Sequence, residues 1–138
     1  MVPKFRCWDE RLGLTEVVSI DFFRKKIKIN HWEYGDSNFF PLDEVALMQS
    51  TGLKDKNGVE IFERDIVKVT DEDEAYSYIS VVKNYAEEGY PAFDIEYPSD
   101  WDYESNVLST IMGGDYETIE VIGNVWENPN LLEQTYEN

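Results

Sequence analysis

The most informative part of the sequence is residues 50–69, which read S-T-G-L-K-D-K-N-G-V-E-I-F-E-R-D-I-V-K-V. Asn57 and Gly58 predict a tight turn near its centre, because both residue types tolerate positive φ. Ile61 and Phe62 are expected to anchor a hydrophobic core, and residues 65–69 read as a central strand. The stretch therefore favours a β-rich fold.

Strand patterns continue on both sides of this stretch. Residues 16–30 predict a hairpin with a basic turn at 24–26. In its second strand the sequence K-I-K-I (26–29) alternates, so we expect both lysines in solvent and both isoleucines in the core. Further strands are predicted at residues 4–8, 45–49, 76–82, 92–97 and 119–125.

The apolar positions of these strands predict the core. In residues 16–22, strict alternation places Val18, Ile20 and Phe22 on one face of the strand. The residues expected to be mostly buried are Phe5, Trp8, Ile20, Phe22, Ile61, Phe62, Ile66, Val67, Val121 and Ile122.

Helix patterns are few and short. Asn128 offers an N-cap oxygen and Pro129 occupies the favoured first helical position, so residues 129–136 predict a short terminal helix. Residues 107–112 fit either a strand or a short helix, and their periodicity leaves both open. We therefore predict a mainly β fold with a small α contribution, formed as a single compact domain over residues 1–138.

The composition supports one folded domain and divides its charge unevenly. The chain has 138 residues, of which 42% are hydrophobic, and a net charge of -17. Residues 1–69 carry 11 basic and 12 acidic side chains, whereas residues 70–138 carry one basic residue, Lys83, and 17 acidic ones. The excess of carboxylates disfavours general binding to nucleic acid or to anionic membranes. The acidic half is then either a solvated surface or a surface for a basic partner.

The sequence also indicates where the protein works. No apolar run approaches the roughly 18 residues of a membrane-spanning helix. The first residues, M-V-P-K-F-R, lack the apolar stretch of a signal peptide. The single cysteine, Cys7, permits no internal disulfide. We therefore expect a protein of a reducing cytoplasm, without a membrane partner.

Four stretches of the chain are specific in combination. They are K-F-R-C-W-D (4–9), S-I-D-F (19–22), L-M-Q-S-T-G-L-K-D-K-N-G-V-E-I-F-E-R-D-I-V-K-V (47–69) and E-V-I-G-N-V-W-E-N-P-N-L-L (120–132). Together they resemble the YopX family of small phage and prophage proteins, with residues 70–116 as a largely unmatched acidic insert. The resemblance implies a bacterial host and a YopX-like domain with an SH3-like β-barrel; it implies no catalytic residues.

One position departs from this family pattern. The family usually shows E-G-D-I-V where this chain has Glu63, Arg64 and Asp65. If the glycine is needed at positive φ, Arg64 bears a strain of roughly 1 kcal/mol, or the turn differs locally.

The reactive residue types offer little support for catalysis or metal binding. Cys7 lies in an apolar strand and is interpreted as a buried thiol. His31, the only histidine, is interpreted as a surface or packing residue. One cysteine and one histidine cannot supply a four-ligand zinc site, and residues 71–74 lack the spacing of an EF-hand. We therefore predict no enzymatic activity, no cofactor and no metal site.

Aromatic residues lie among the carboxylates of the acidic half. Such a surface can bind a basic protein, because rings supply buried area and carboxylates steer the approach. Trp101 and Tyr103, on a polar loop, are expected to be the most exposed rings; the alternative is that several rings face the core. The predicted partner-binding residues are Asp71, Glu72, Asp73, Glu74, Asp100, Trp101, Asp102 and Tyr103.

Two functions from different classes fit these features. The first is a non-enzymatic accessory protein that acts through protein contacts, including nucleic-acid mimicry in which carboxylates imitate phosphates. The second is a small β-barrel module that binds RNA or DNA through aromatic residues and the basic hairpin at 24–28, which the net charge opposes. Exposed strand edges in a small β domain keep a homo-oligomer open as well.

Overall fold

The computed structural model describes residues 4–30, 39–85, 93–101, 106–114 and 116–133. The chain divides into two compact units, Met1–Ser50 and Thr51–Asn138. Strands predominate over helices in both. The strands are β1 (Phe5–Asp9), β2 (Gly13–Asp21), β3 (Lys26–Asn30), β4 (Phe39–Pro41), β5 (Ala46–Lys54), β6 (Glu60–Phe62), β7 (Asp65–Thr70), β8 (Ser77–Val81), β9 (Lys83–Asn84), β10 (Phe93–Asp94) and β11 (Thr118–Asn124). The helices are a 3₁₀ helix (Leu42–Glu44), α1 (Val107–Gly113) and α2 (Asn130–Glu133).

The first unit is an antiparallel sheet with the strand order β4-β3-β2-β1-β5. The predicted hairpin is confirmed as β2 and β3, with Ile20 opposite Ile27 and Asp21 opposite Lys26. Both isoleucines of β3 are completely buried, as the alternation predicted. They form a small core whose buried members are Cys7, Leu12, Ile27 and Ile29.

A β-bulge changes which face of β2 meets this core. The pairing of β2 with β3 shifts register between Val17 and Ser19, so Val18 is an extra residue. Val17 and Ile20 pack against the core, whereas Val18 is 52% exposed. The predicted face of Val18, Ile20 and Phe22 is therefore wrong, because one inserted residue reverses the alternation on either side of it.

The predicted core is partly confirmed. Ile61, Ile66 and Val67 are completely buried. The predicted burial of Phe22 is wrong. This side chain is 66% exposed, because β2 ends at Asp21 and Phe22 already belongs to the turn. The remaining members are intermediate in burial; they are Phe5, Trp8, Ile20, Phe62, Val121 and Ile122.

The second unit has β7 at its centre. Residues 65–69 are confirmed as a central strand, since β7 pairs with β11 on one side and with β8 on the other. In the same unit the last residues of β5 run beside β6, where Thr51 Oγ donates a hydrogen bond of 2.7 Å to the carbonyl of Ile61. The core of this unit comprises Ile61, Val67, Val69, Tyr78, Val82, Ile95, Val107, Leu108, Ile111 and Ile119.

The stretch whose periodicity left strand and helix open is helix α1. Its buried residues Val107, Leu108 and Ile111 lie on one helical face and join the core of the second unit. Asp94 Oδ1 accepts the backbone N–H of Leu108 at 3.0 Å, which satisfies a free donor of the first helical turn. The strand predicted at 92–97 is shorter, and within the described residues only β10 forms there.

Two features of the predicted architecture have different outcomes. The terminal helix begins at Asn130 as α2, so Pro129 is not its first residue as predicted, and residues 134–136 of the predicted range lie outside the described residues. The SH3-like barrel is not confirmed, because the sheets formed by the described residues do not close. Among those residues, no helix has the length and apolar content needed to cross a membrane.

Candidate functional site

The acidic run 71–74 is the turn between β7 and β8. Asp71 Oδ1 accepts the backbone N–H groups of Ala75 at 2.9 Å and Tyr76 at 3.3 Å. Asp71 is half-buried, and its carboxylate helps to hold the turn together. Glu72, Asp73 and Glu74 are exposed.

Strand register brings two tyrosines to the same end of the sheet as this turn. Thr70, the last residue of β7, lies opposite both Ser77 and Thr118. Tyr76 immediately precedes β8 and is 72% exposed; Tyr116, just before β11, is 70% exposed. With strands about 4.8 Å apart, their backbones are separated by about 10 Å across β7. We call Glu72, Asp73, Glu74, Tyr76 and Tyr116 the acidic end.

The loop that contains Trp101 is arranged differently from the prediction. Asp100 is exposed, but the Trp101 ring packs edge-on against Tyr78, with centroids 4.7 Å apart and planes at 75°. Trp101 is half-buried against the core of the second unit. The expectation that this ring is among the most exposed is therefore wrong. Although the sequence around Trp101 is polar, the ring packs against a buried neighbouring ring. Asp102 and Tyr103 lie outside the described residues.

Arg64 lies at a groove in the second unit. Its φ is 69°, so the strain expected at the position of the family's glycine is present. The backbone is held there by hydrogen bonds from Arg64 N to the carbonyl of Val82 at 2.8 Å and from Val125 N to the carbonyl of Arg64 at 3.0 Å. The groove has a volume of about 520 Å³, and its lining includes Tyr97 and Lys83. A glycine would leave the place of the Arg64 side chain empty.

The basic hairpin presents aromatic rings as well as cations. Lys26 and Lys28 lie on the outer face of β3, and Lys28 Nζ is 5.9 Å from the ring centre of Phe39 on β4. The turn itself carries Phe22, Phe23, Arg24 and Lys25, all of which are exposed. We call Phe22, Phe23, Arg24, Lys25, Lys26, Lys28 and Phe39 the basic–aromatic tip. The sequence prediction missed these three rings, although F-F beside R-K-K at a turn was a usable signal.

The turn around Asp55 explains why residues 50–59 are a specific motif. Asp55 is buried, and its Oδ1 accepts the N–H groups of Asn57 and Val59, both at 2.9 Å. Its Oδ2 accepts the N–H of Val121 on β11, also at 2.9 Å. Burial raises the pKa of Asp55, but these backbone donors outweigh it and the pKa lies below its usual value. Gly58 has a φ of 81°, which confirms the predicted turn.

The motif near the C-terminus is a turn as well. Asn124 Oδ1 accepts the backbone N–H groups of Trp126 at 3.0 Å and Glu127 at 2.9 Å. A Cβ on Gly123 would lie 2.5 Å from Asn128 Oδ1, so this position has no room for a side chain. Asn128 Oδ1 accepts the N–H of Asn124 at 3.3 Å. Both specific motifs therefore contain side chains that cap turns of the fold.

Of the remaining reactive residues, Cys7 is described by the structure and adds no site. Cys7 is buried, as predicted, and burial together with the nearby Asp9 carboxylate raises the pKa of its thiol to about 11. The thiol is therefore protonated at neutral pH. His31 lies outside the described residues. Within the described ranges, no three His, Cys, Asp or Glu side chains come together in a way that could hold a metal ion.

The described residues form a mostly β fold in which aspartate and asparagine side chains cap several turns. The profile of the YopX protein family matches residues 4–133, so the chain belongs to the YopX family. The match spans residues 70–116, which lie between the recognised stretches and were interpreted as a largely unmatched insert.

Relatives with solved structures share the fold over nearly the whole chain. Protein EF1440 from Enterococcus faecalis has a TM-score of 0.61 and 28% identity, and the match covers 96% of this chain and 99% of that one. Protein YopX from Bacillus subtilis has a TM-score of 0.59 and 26% identity, with 93% and 96% covered.

A curated relative matches over a shorter stretch. The SPbeta prophage-derived uncharacterized protein YopX of Bacillus subtilis (strain 168) is 38% identical over 89 residues. The match covers 64% of this chain and 60% of that relative, so the chain spans less than two thirds of the relative's length in this comparison.

Proposed function

We propose that this chain is a non-enzymatic accessory protein of phage or prophage origin that binds a basic protein through its acidic end. The prophage origin rests on the name of its relative in Bacillus subtilis. The binding function rests on one observation: three exposed carboxylates and two exposed tyrosines lie at the same end of one sheet. We propose the bacterial cytoplasm as the place of action, in keeping with a single, buried thiol.

The acidic end combines the two features that protein recognition uses. Glu72, Asp73 and Glu74 lie beyond the last residue pair of β7 and β8, so a partner can approach them without displacing a strand. Tyr76 and Tyr116 offer rings with a polar tip, which supply contact area when a partner covers them. The carboxylates would speed encounter with a basic segment, and the rings would slow its release.

The structure changes which residues this proposal uses. Trp101 packs on Tyr78, so we assign the anchoring contacts to Tyr76 and Tyr116 instead. Asp71 is engaged with the turn backbone and is left out of the binding set. Asp100 is exposed and stays in it as a peripheral charge.

The experiment begins with the immobilised wild-type protein and a lysate of a bacterial host, which identifies a partner. The association and dissociation rates of that partner are then measured for two variants with equal charge change. Glu72→Gln/Asp73→Asn/Glu74→Gln alters the acidic end, and Glu10→Gln/Glu16→Gln/Asp43→Asn alters exposed carboxylates of the first unit.

We expect the first triple variant to slow association about tenfold or more at low salt and the control to change it little. Tyr76→Ala is expected to raise the dissociation rate, and Tyr97→Ala, a ring elsewhere in the second unit, serves as its control. Equal effects of both triple variants would contradict the proposal and leave the carboxylates as a solubilising surface. A DNA-binding partner that duplex DNA displaces would indicate the mimicry form of the same function.

A further inference from the structure

Three phenylalanine rings of the first unit are exposed, two in the turn between β2 and β3 and one on β4 beside β3. Phe23 is 95% exposed, Phe22 66% and Phe39 57%. None of them belongs to the buried core of that unit. Ile27 and Ile29 of β3 contribute to that core. Clustered exposed rings of this size mark interaction sites, because single exposed apolar residues are common but groups of them are not.

Cations surround these rings. Lys28 lies opposite Phe39 and Lys26 lies opposite Pro41 in the pairing of β3 with β4, so both side chains share the outer face with Phe39. Arg24 and Lys25 follow the other two rings directly in the turn.

Among the described residues, three acidic groups lie near the tip in sequence, and two of them are engaged with arginines. Asp21 Oδ1 accepts the N–H of Arg24 at 3.0 Å, and its Oδ2 is 3.9 Å from the guanidinium. Glu44, in the 3₁₀ helix after β4, is 3.5 Å from the Arg11 guanidinium, and Asp43 beside it is exposed. The tip itself, with four cations, therefore has a net positive charge on a protein whose total is -17.

We propose that the basic–aromatic tip binds single-stranded nucleic acid. The cations would contact phosphates, and the exposed rings would stack on bases, which is how single strands are bound without sequence preference. This inference concerns a surface of the first unit and is independent of the acidic end.

The charge of the whole protein favours a single strand over other anionic partners. At physiological ionic strength the field of exposed charges is screened beyond about 8 Å, so a short flexible strand responds mainly to the charges that it contacts. A rigid duplex or a flat anionic membrane brings a longer row of negative charges to a protein whose total charge is -17. In addition, only unpaired bases expose the faces on which Phe22, Phe23 and Phe39 could stack.

The test is a fluorescence anisotropy titration with labelled single-stranded DNA and RNA of about 16 nucleotides. Duplex DNA of the same length and vesicles with phosphatidylserine are titrated in parallel. Arg24→Gln/Lys25→Asn/Lys26→Gln removes three cations of the tip, with asparagine chosen at the residue whose φ is 56°. Lys54→Gln/Lys56→Gln/Lys68→Gln removes three exposed cations elsewhere as the matched control.

We expect the wild-type chain to bind the single strands. In the tip variant, the plot of log affinity against log salt should be less steep, by about 2 in the magnitude of its slope. Phe23→Ser is expected to weaken binding about tenfold, as the loss of one stacked base does, whereas Val59→Ser changes it little. Unchanged thermal melts show that the variants are folded. The proposal is overturned if single strands do not bind at low salt, or if the tip variant and its triple-lysine control weaken binding equally. Tighter binding of duplex DNA or vesicles than of single strands would also overturn it.

Discussion

The basic–aromatic tip and the acidic end contain the same kind of turn with opposite charge. In each, the aspartate at the start of the turn accepts backbone N–H groups: Asp21 from Arg24, and Asp71 from Ala75 and Tyr76. Each turn also has one residue at positive φ, Lys25 at 56° and Glu74 at 57°. In both turns, therefore, an aspartate supports the backbone and one residue is left-handed.

Those other side chains are where the two turns differ. One carries phenylalanines and cations, and the other carries carboxylates beside Tyr76. Because these backbone hydrogen bonds use none of those side chains, their exposure and charge are the features to which we assign binding. A third turn, around Asp55, has the same aspartate device but buries it against Val121 of β11. The three turns share the aspartate that accepts backbone N–H groups, and they differ in whether that aspartate is buried.

The largest effect is expected at the buried turn. Asp55→Ala removes an acceptor from three backbone N–H groups and should lower the free energy of unfolding by about 3 kcal/mol, at about 1 kcal/mol for each. Asp55→Asn keeps one acceptor oxygen and should cost less than Asp55→Ala. Urea unfolding of both variants measures this. If Asp55→Ala costs no more than the same change at an exposed turn, burial does not distinguish the three turns.

The pH dependence of stability provides a second test of the same carboxylate. Because the pKa of Asp55 in the folded chain lies below the unfolded value of about 3.9, its stabilisation is fully present above that pH. It is lost as the pH falls through the folded-state pKa. Wild type should therefore lose stability in acid more steeply than Asp55→Ala. Equal acid dependence of the two chains would contradict this assignment.

The two exposed turns should differ in proportion to their hydrogen bonds. Asp71→Ala removes an acceptor from two backbone N–H groups and should cost about 1–2 kcal/mol, whereas Asp21→Ala removes it from one and should cost about 0.5–1 kcal/mol. Urea midpoints at constant slope report both. Equal costs, or none, would show that solvent replaces these caps and that the turns are held by strand pairing alone.

The residues at positive φ should give smaller effects of the opposite sign. Arg64→Gly, Lys25→Gly and Glu74→Gly should each stabilise the fold by about 0.5–1 kcal/mol, because glycine adopts this conformation without strain. Similar gains at Lys25 and Glu74 would confirm that the two exposed turns share one backbone requirement. Lys54→Gly, on a strand, is the control and should be destabilising.

The smallest effect concerns salt. Thermal midpoints should rise between about 10 and 300 mM NaCl, since screening weakens repulsion among the carboxylates of residues 70–138. Glu72→Gln/Asp73→Asn/Glu74→Gln should flatten this rise, and Arg24→Gln/Lys25→Asn/Lys26→Gln should not. A flat wild-type series would mean that the repulsion is already compensated in the fold.

The local structure was largely predictable because it depends on neighbours in the chain. Asn57 and Gly58 form their turn, residues 65–69 form the central strand, and K-I-K-I alternates as expected. Turn chemistry and alternation act over two to four residues, so a single sequence contains them. The strain at Arg64 was likewise predictable, since the family's glycine marked the position.

Other features depend on partners that are distant in sequence. The bulge at Val18 appears only when β2 pairs with β3, and it moves Val18 out of the core. Trp101 loses its expected exposure because it packs edge-on against Tyr78 of β8. Tyr76 and Tyr116 come to one end of a sheet only through the register of β8, β7 and β11.

From its residues alone, then, this chain specifies a mostly β fold, its main turns, an acidic second half and membership of the YopX family. Tertiary structure decides which charged and aromatic side chains are available to a partner. The physical reason is that alternation and turn propensity are local, whereas burial depends on strand register and on the residue packed opposite. Asp71 and Glu72 are neighbours in one acidic run, yet backbone N–H groups across the turn engage the first and leave the second in solvent.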